Sequence, residues 1–280
     1  MSLNQGSGDD PKGSGNHKGA MLGGLGVLGI GLLKAKALWF IFLKALTSFK
    51  FLYVFKSFFS MFLMIGLYTM VFGWFYAFVV VGLILIHEMG HFVFMKAMNL
   101  DPKLPIFVPF MGAYVQMSRM PPDQTTHAWV AIAGPLVGGV TAVGMFVLGV
   151  YLNKPALMAA GNTGVFLNMF QLVPCKPFDG GFVVNAISKW FLIPGTGMVF
   201  AMAALLASPF LFIIGLLSAF MTYRAFTRPV EENGLIMGQK PATLPEKIMI
   251  GTAYFGLLGV LGYVYWLSHN DLIALVPPKF

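Results

Sequence analysis

Residues 57–97 read SFFSMFLMIGLYTMVFGWFYAFVVVGLILIHEMGHFVFMKA, and this stretch decides the fold. It is about twice the roughly 20 apolar residues that cross a bilayer as a helix. Gly73 lies near its middle, so the run reads as two spans joined by a tight turn near Gly73 to Tyr76. The second span carries His87-Glu88-Met89-Gly90-His91. Ionisable side chains at membrane depth are costly and usually mark function.

The rest of the chain fits a lipid solvent. Of 280 residues, 58% are hydrophobic and 10% charged, against about 25% charged in a soluble domain. That balance excludes a disordered chain, a coiled coil and a conventional water-soluble enzyme. The net charge of +8 points to the membrane surface rather than to nucleic acid. The single cysteine, Cys175, excludes an internal disulfide framework and a multi-cysteine zinc site.

Residues 1–19 read as a disordered polar tail. Residues 20–56 read as a basic interfacial or re-entrant segment, with Lys34, Lys36, Lys44, Lys50 and Lys56 among aromatics. These lysines place the N-terminal end on the cytoplasmic side. The catalytic membrane core is expected over 57–192 and C-terminal transmembrane helices over 193–280. Within the polar connection 98–126, residues 106–117 (IFVPFMGAYVQM) predict a β-hairpin with Gly112 near the turn, and Pro109 restricts its first strand to an edge. Further apolar runs cover 128–152, 156–173, 197–222 and 248–267. The fold class is an all-α polytopic membrane protein of about six transmembrane helices, with a small β-hairpin between the second and third spans. One conflict stays open. The cations of the 223–247 loop place it inside, whereas a span count places it outside, and a short re-entrant helix at 182–192 would change that count.

H-E-x-x-H on a helix sets two imidazoles on one face, about 6 Å apart along the axis, where they can grip one zinc ion. Glu88 projects about 100° away, next to the open position, as a general base. A catalytic zinc site takes a third protein ligand. Asp179 stands out, in Pro174-Cys175-Lys176-Pro177-Phe178-Asp179-Gly180-Gly181 directly after an apolar run. The same stretch also reads as a plain turn, since Asp-Gly is a common turn pair. Counting spans from the cytoplasmic N-terminal side brings His91 and Asp179 to the same side at similar depth. Cys175 is a further group that could approach the metal. His127 sits at a span end and reads as an interfacially solvated side chain.

His87-Glu88-Met89-Gly90-His91 in a span, with Phe178-Asp179-Gly180-Gly181 after a later one, resembles the site-2 protease family of intramembrane zinc metalloproteases. The likeness covers roughly residues 58–192 and includes Gly112-Ala113-Tyr114-Val115 and Ala133-Gly134-Pro135-Leu136. It implies one zinc per chain on His87, His91 and Asp179, with Glu88 as catalytic base. Two positions depart from the family pattern: Gln171 stands where Asn is usual, with Asn168 one turn earlier, and Phe182 stands where Arg is frequent.

The activity this implies is hydrolysis of peptide bonds in membrane-spanning substrates, in or near the bilayer. Gln171 or Asn168 would steady the oxyanion, and the hairpin around Gly112 and Tyr114 would pair with an unwound substrate by strand addition. Expected partners are a transmembrane protein or peptide and the lipid bilayer, with no nucleic acid; the sequence gives no oligomeric state. The expected location is a bacterial-type cytoplasmic membrane, with the site toward the cytoplasm. A catalytically silent zinc-binding protein and a metal transporter are the alternatives. The carboxylate of Glu88 argues against the first, and the lack of further ionisable groups along a path through the bilayer argues against the second.

Overall fold

A computed structural model describes residues 34, 36–41, 44, 49–109, 112–227 and 239–274. The chain divides into two compact units, Met1–Phe55 and Lys56–Phe280. In the first, the tail 1–19 and the glycine-rich piece at 20–33 lie outside the described residues. The described part of 34–44 is helical and exposed.

The second unit is a helical bundle. α1 (Phe49–Phe72) enters it from the first unit and meets α2 (Trp74–Ala97) at Gly73, which adopts φ 82°. That left-handed conformation is one only glycine takes without strain, so the tight turn expected there rests on this residue. After α2 come β1 (Ile106–Val108) and β2 (Gly112–Tyr114). They pair antiparallel with Ile106 opposite Tyr114 and Val108 opposite Gly112. Gly112 therefore opens the second strand, just past the turn. The pairing extends outward to Pro102 opposite Met117. Two serines of α1 hold the hairpin in place: Ser57 Oγ donates to Pro105 O at 2.5 Å, and the Phe107 amide donates to Ser60 Oγ at 3.1 Å.

α3 (Gln124–Tyr151) starts at an N-cap, where the Asp123 carboxylate accepts from the Thr126 amide at 2.6 Å. α4 (Pro155–Gln171) follows a short turn and begins with proline in its first turn, where the missing N–H has no cost. α5 (Asp179–Ile187), α6 (Leu192–Leu205), α7 (Pro209–Thr227) and α8 (Leu244–Ala274) complete the unit. The main core gathers Leu83 of α2, Ala131 and Ala142 of α3, Val165 of α4, Val183 and Val184 of α5, and Tyr254 and Leu261 of α8. Tyr254 also donates its hydroxyl to Leu172 O at 2.5 Å, tying α8 to the end of α4.

Among the described residues, five helices are long and apolar enough to cross a membrane: 52–72, 74–97, 124–151, 209–227 and 244–270. They carry large apolar side chains outward, such as Phe62 at 58% exposure and Val140 at 66%. A soluble protein would bury such a surface. The molecule is an all-α polytopic membrane protein with one two-stranded sheet.

The apolar run 197–222 is not one span. It breaks at Leu206–Ser208, where Ala207 takes φ 46° and Ser208 caps α7 through its hydroxyl and carbonyl. Pro209 cannot continue α6 and starts α7 instead. α6 and α7 are thus an antiparallel hairpin, tied by Thr196 of α6 bonding to Ser218 and Thr222 of α7. α5 does not cross. It starts at Asp179, and just beyond it Lys189 and Trp190 pack on Phe226 near the end of α7. This resolves the conflict over the 223–247 loop. Its described end sits beside the start of α3, since Gln124 N donates to Lys240 O and Gln239 Nε2 to Pro121 O. The described end of the loop therefore lies at the same end as the 98–126 connection, and the α6–α7 hairpin supplies the extra pass through the bundle.

Candidate metal centre

His87 and His91 stand one turn apart on the buried face of α2. Asp179 is the first residue of α5. Their donor atoms converge: His87 Nε2 to His91 Nε2 is 3.1 Å, His87 Nε2 to Asp179 Oδ2 is 3.1 Å, and His91 Nε2 to Asp179 Oδ2 is 3.3 Å. Three ligands at 2.0–2.2 Å on a tetrahedral ion lie about 3.3 Å from one another. Among the described residues this is the one His/Cys/Asp/Glu group compact enough to hold a metal.

The hydrogen-bonding pattern sharpens the fit. His87 Nδ1 faces Asn168 Oδ1 at 2.8 Å, and His91 Nδ1 faces Val130 O at 2.7 Å. Both oxygens only accept, so both Nδ1 atoms carry the hydrogen and both Nε2 atoms present lone pairs. Asp179 Oδ2 is buried with no hydrogen-bond partner. Three acceptors aimed at one point repel one another unless a cation lies between them. The donor set therefore fits zinc, with orienting partners already placed behind both imidazoles.

The local sequence builds this geometry through close approach. A Cβ at Gly134 of α3 would occupy the place of the His91 ring, and one at Gly138 would strike the Asn168 amide. In the Pro174–Gly181 turn, backbone of Leu172 and Cys175 passes so near Gly180 and Gly181 that neither could carry a side chain. The stretch is thus a turn and a ligand support at once.

Asn168 was one of four residues expected to face substrate, with Gln171, Gly112 and Tyr114. It accepts from His87, donates to Gly164 O at 2.8 Å, and also lines the apolar cavity beside Gln171. Gln171 stays at the site, lining cavities on both sides of it. Glu88 is buried beside the metal ligands, with the Val115 backbone amide against its carboxylate. The hairpin is therefore docked on the site, with Gly112 on one cavity and Tyr114, half-exposed, on the other. Cys175 points elsewhere, toward Ser218, and burial pushes its thiol up to about 11, so it is not a ligand. His127, expected at a span end, is partly buried in the first turn of α3 and lines the cavity of the metal ligands. Val130 and Gly138 went unnoticed in the sequence. A backbone carbonyl leaves no mark there, and the spacing of Gly134 and Gly138 is the signal that could have found the second.

Two cavities flank the centre and share His87, Glu88, Ala113, Gln171 and Pro177. One, of about 950 Å³, is walled by apolar side chains including Leu83, Leu167, Phe178, Phe210 and Ile214. The other, of about 780 Å³, is more polar and holds His91, Tyr114, His127 and Asp179. An H-E-x-x-H helix and an aspartate from a second element, set in a bundle of long apolar helices, form a donor set that fits a catalytic zinc ion.

Comparison with known proteins agrees. The family model described as peptidase family M50 matches residues 75–163. A "Probable zinc metalloprotease EGY1, chloroplastic" of Arabidopsis thaliana is 30% identical over 118 residues, 40% of this chain and 20% of that protein. The protein of the same printed name in Oryza sativa is 28% identical over 118 residues, 40% of this chain and 19% of that one. "Zinc metalloprotease MJ0392" of Methanocaldococcus jannaschii is 26% identical over 109 residues, 37% of this chain and 31% of that one. The matches thus span between about a fifth and a third of these relatives' own length. No solved structure matches. Over the matched residues the chain is similar to the site-2 protease family.

Proposed function

We propose that this protein is a zinc metalloendopeptidase that hydrolyses peptide bonds of membrane-spanning substrates within or near the bilayer. The observation that carries the reading is Glu88, a carboxylate with no ligand role, buried beside three converging metal donors and open to both cavities. A silent zinc-binding protein has no use for that group at that position. When bound, zinc supplies a Lewis acid that activates water and polarises a carbonyl.

The chain's own residues do the rest. Asn168 and Val130 O hold His87 and His91 in the tautomer that presents Nε2. Glu88 takes the proton of the attacking water and hands it to the leaving amine. Gln171, between the two cavities, donates an amide N–H to the oxygen of the scissile carbonyl. A transmembrane helix hides its peptide bonds, so the substrate must be extended at the site. Strand addition alongside Gly112–Tyr114 would hold it extended and pass it by Glu88. The apolar cavity suits the side chains of a membrane segment.

Orientation follows from charge. Lys96, Lys103, Arg119, Lys176, Arg224, Lys240 and Lys247 all belong to the end of the bundle nearer the metal centre, while the α3–α4 turn at the far end carries Lys154. The metal-centre end is therefore cytoplasmic in a bacterial-type membrane.

The test is a panel of single-span substrates offered to the purified protein in liposomes, with Glu88→Gln alongside. Cleavage by the parent and none by a zinc-loaded Glu88→Gln variant supports the reading. Bound zinc with equal, Glu88-independent behaviour of the two would replace it with the silent-relative reading.

A further inference from the structure

We infer that His127 is a second hydrogen-bond donor to the substrate, acting on the scissile carbonyl alongside Gln171. The inference rests on the protease reading above. His127 lies in the first turn of α3, and its ring lines the same cavity as Glu88, His91 and Asp179.

Two lines of geometry place it. On α3, Val130 is three residues further on, and its carbonyl holds His91 Nδ1 at 2.7 Å. His127 therefore stands about 5 Å, roughly one helical turn, along the axis from the support of a metal ligand. On α5, Phe182 is three residues past Asp179, so the two share a face. The His127 ring rests on Phe182, with centroids 5.1 Å apart and planes inclined at 37°. His127 thus sits on the helix whose carbonyl orients His91 and packs against the helix that carries Asp179.

The contrast with the other histidines of the cavity is chemical. His87 and His91 each have Nδ1 engaged behind them and Nε2 at the metal point. Neither ring nitrogen of His127 has a protein partner among the described residues, and the side chain is only partly buried. It stands outside the ligand group. Its ring packs against Phe182, and the side chain lines the cavity. Around it are Asp179 and the Lys176 ammonium, the latter 5.4 Å from the centroid of the same Phe182 ring, with Glu88 and Tyr114 across the cavity. A neutral imidazole carries one N–H for an oxygen and one lone pair for an amide. An extended peptide passing Ala113 and Tyr114 offers both. The donor role needs no change in the protonation of His127.

The experiment uses full-length protein in liposomes with a substrate whose cleavage depends on Glu88, and compares His127→Ala with His127→Phe, which keeps an aromatic ring against Phe182. Loss of one oxyanion donor typically lowers kcat by about 10²-fold or more. The expected result is a fall of that size in both variants, KM within about threefold, zinc content unchanged, and partial recovery of His127→Ala by added imidazole. Full activity in either variant overturns the inference. So does loss of zinc in both, which would make His127 a structural support. If the parent itself shows no Glu88-dependent cleavage, the protease reading falls and takes this inference with it. Glu88-dependent cleavage indifferent to His127 sinks the inference alone.

Discussion

At Gly134 of α3 the place of a Cβ is filled by the His91 ring, and at Gly138 by the Asn168 amide; at Gly256 and Gly259 of α8 there is no heavy atom within 4 Å. These are two ways of using glycine in two regions of one bundle. Around the metal centre, small residues let helices and ligands approach until side-chain rotamers are fixed. On the outer helix they leave the surface smooth, facing lipid. The first region is held from several sides at once, whereas the second is constrained on one face only. Function is concentrated where the close approach is.

The largest expected effect comes from removing a ligand. His87→Ala or Asp179→Ala leaves two acceptors and an incomplete donor set, so zinc per chain falls from one to near zero, by elemental analysis, and cleavage is lost with it. Glu88→Gln separates binding from chemistry: zinc stays at one per chain while kcat falls by about 10²–10⁴-fold. Asn168→Ala removes the partner of His87 Nδ1 and weakens zinc affinity about 10–100-fold in a chelator competition. Gly138→Ala acts through the same amide and falls in the same range, whereas Gly256→Ala leaves affinity and activity unchanged. Equal effects of those two glycine variants would break the comparison.

The smallest effect concerns Lys176, buried in the turn before Asp179, where loss of hydration lowers its ammonium to about 8. The unfolded chain keeps the ordinary higher value, so between about pH 8 and 10.5 it binds more protons than the folded one, and stability rises with pH across that window. Lys176→Met removes that rise and stabilises the protein at pH 7 by about 1–3 kcal/mol. Thermal unfolding in detergent at pH 7 and at pH 9.5 reads both effects, and a rise that persists in Lys176→Met would show that another group causes it.

Much of this was legible in the sequence because few residues are ionisable. His87, Glu88 and His91 could be placed together from helical periodicity alone, and Asp179 from the proline-broken turn that follows an apolar run. The hairpin was visible in Gly112 and its flanking β-formers. The break at Ala207–Ser208 was not, since a hydropathy run does not record backbone direction and Pro209 alone leaves open a kinked single helix. The span parity followed that break. What Asn168 and His127 touch was not legible, because it depends on which elements pack across from them, which local spacing does not encode.

The most direct test of the central claim is zinc-edge X-ray absorption on the purified full-length chain. The account predicts one zinc with two imidazole nitrogens at about 2.0–2.1 Å, oxygen at about 2.0–2.2 Å and no sulfur. A sulfur shell at about 2.3 Å, or an unchanged spectrum in Asp179→Ala, would contradict it.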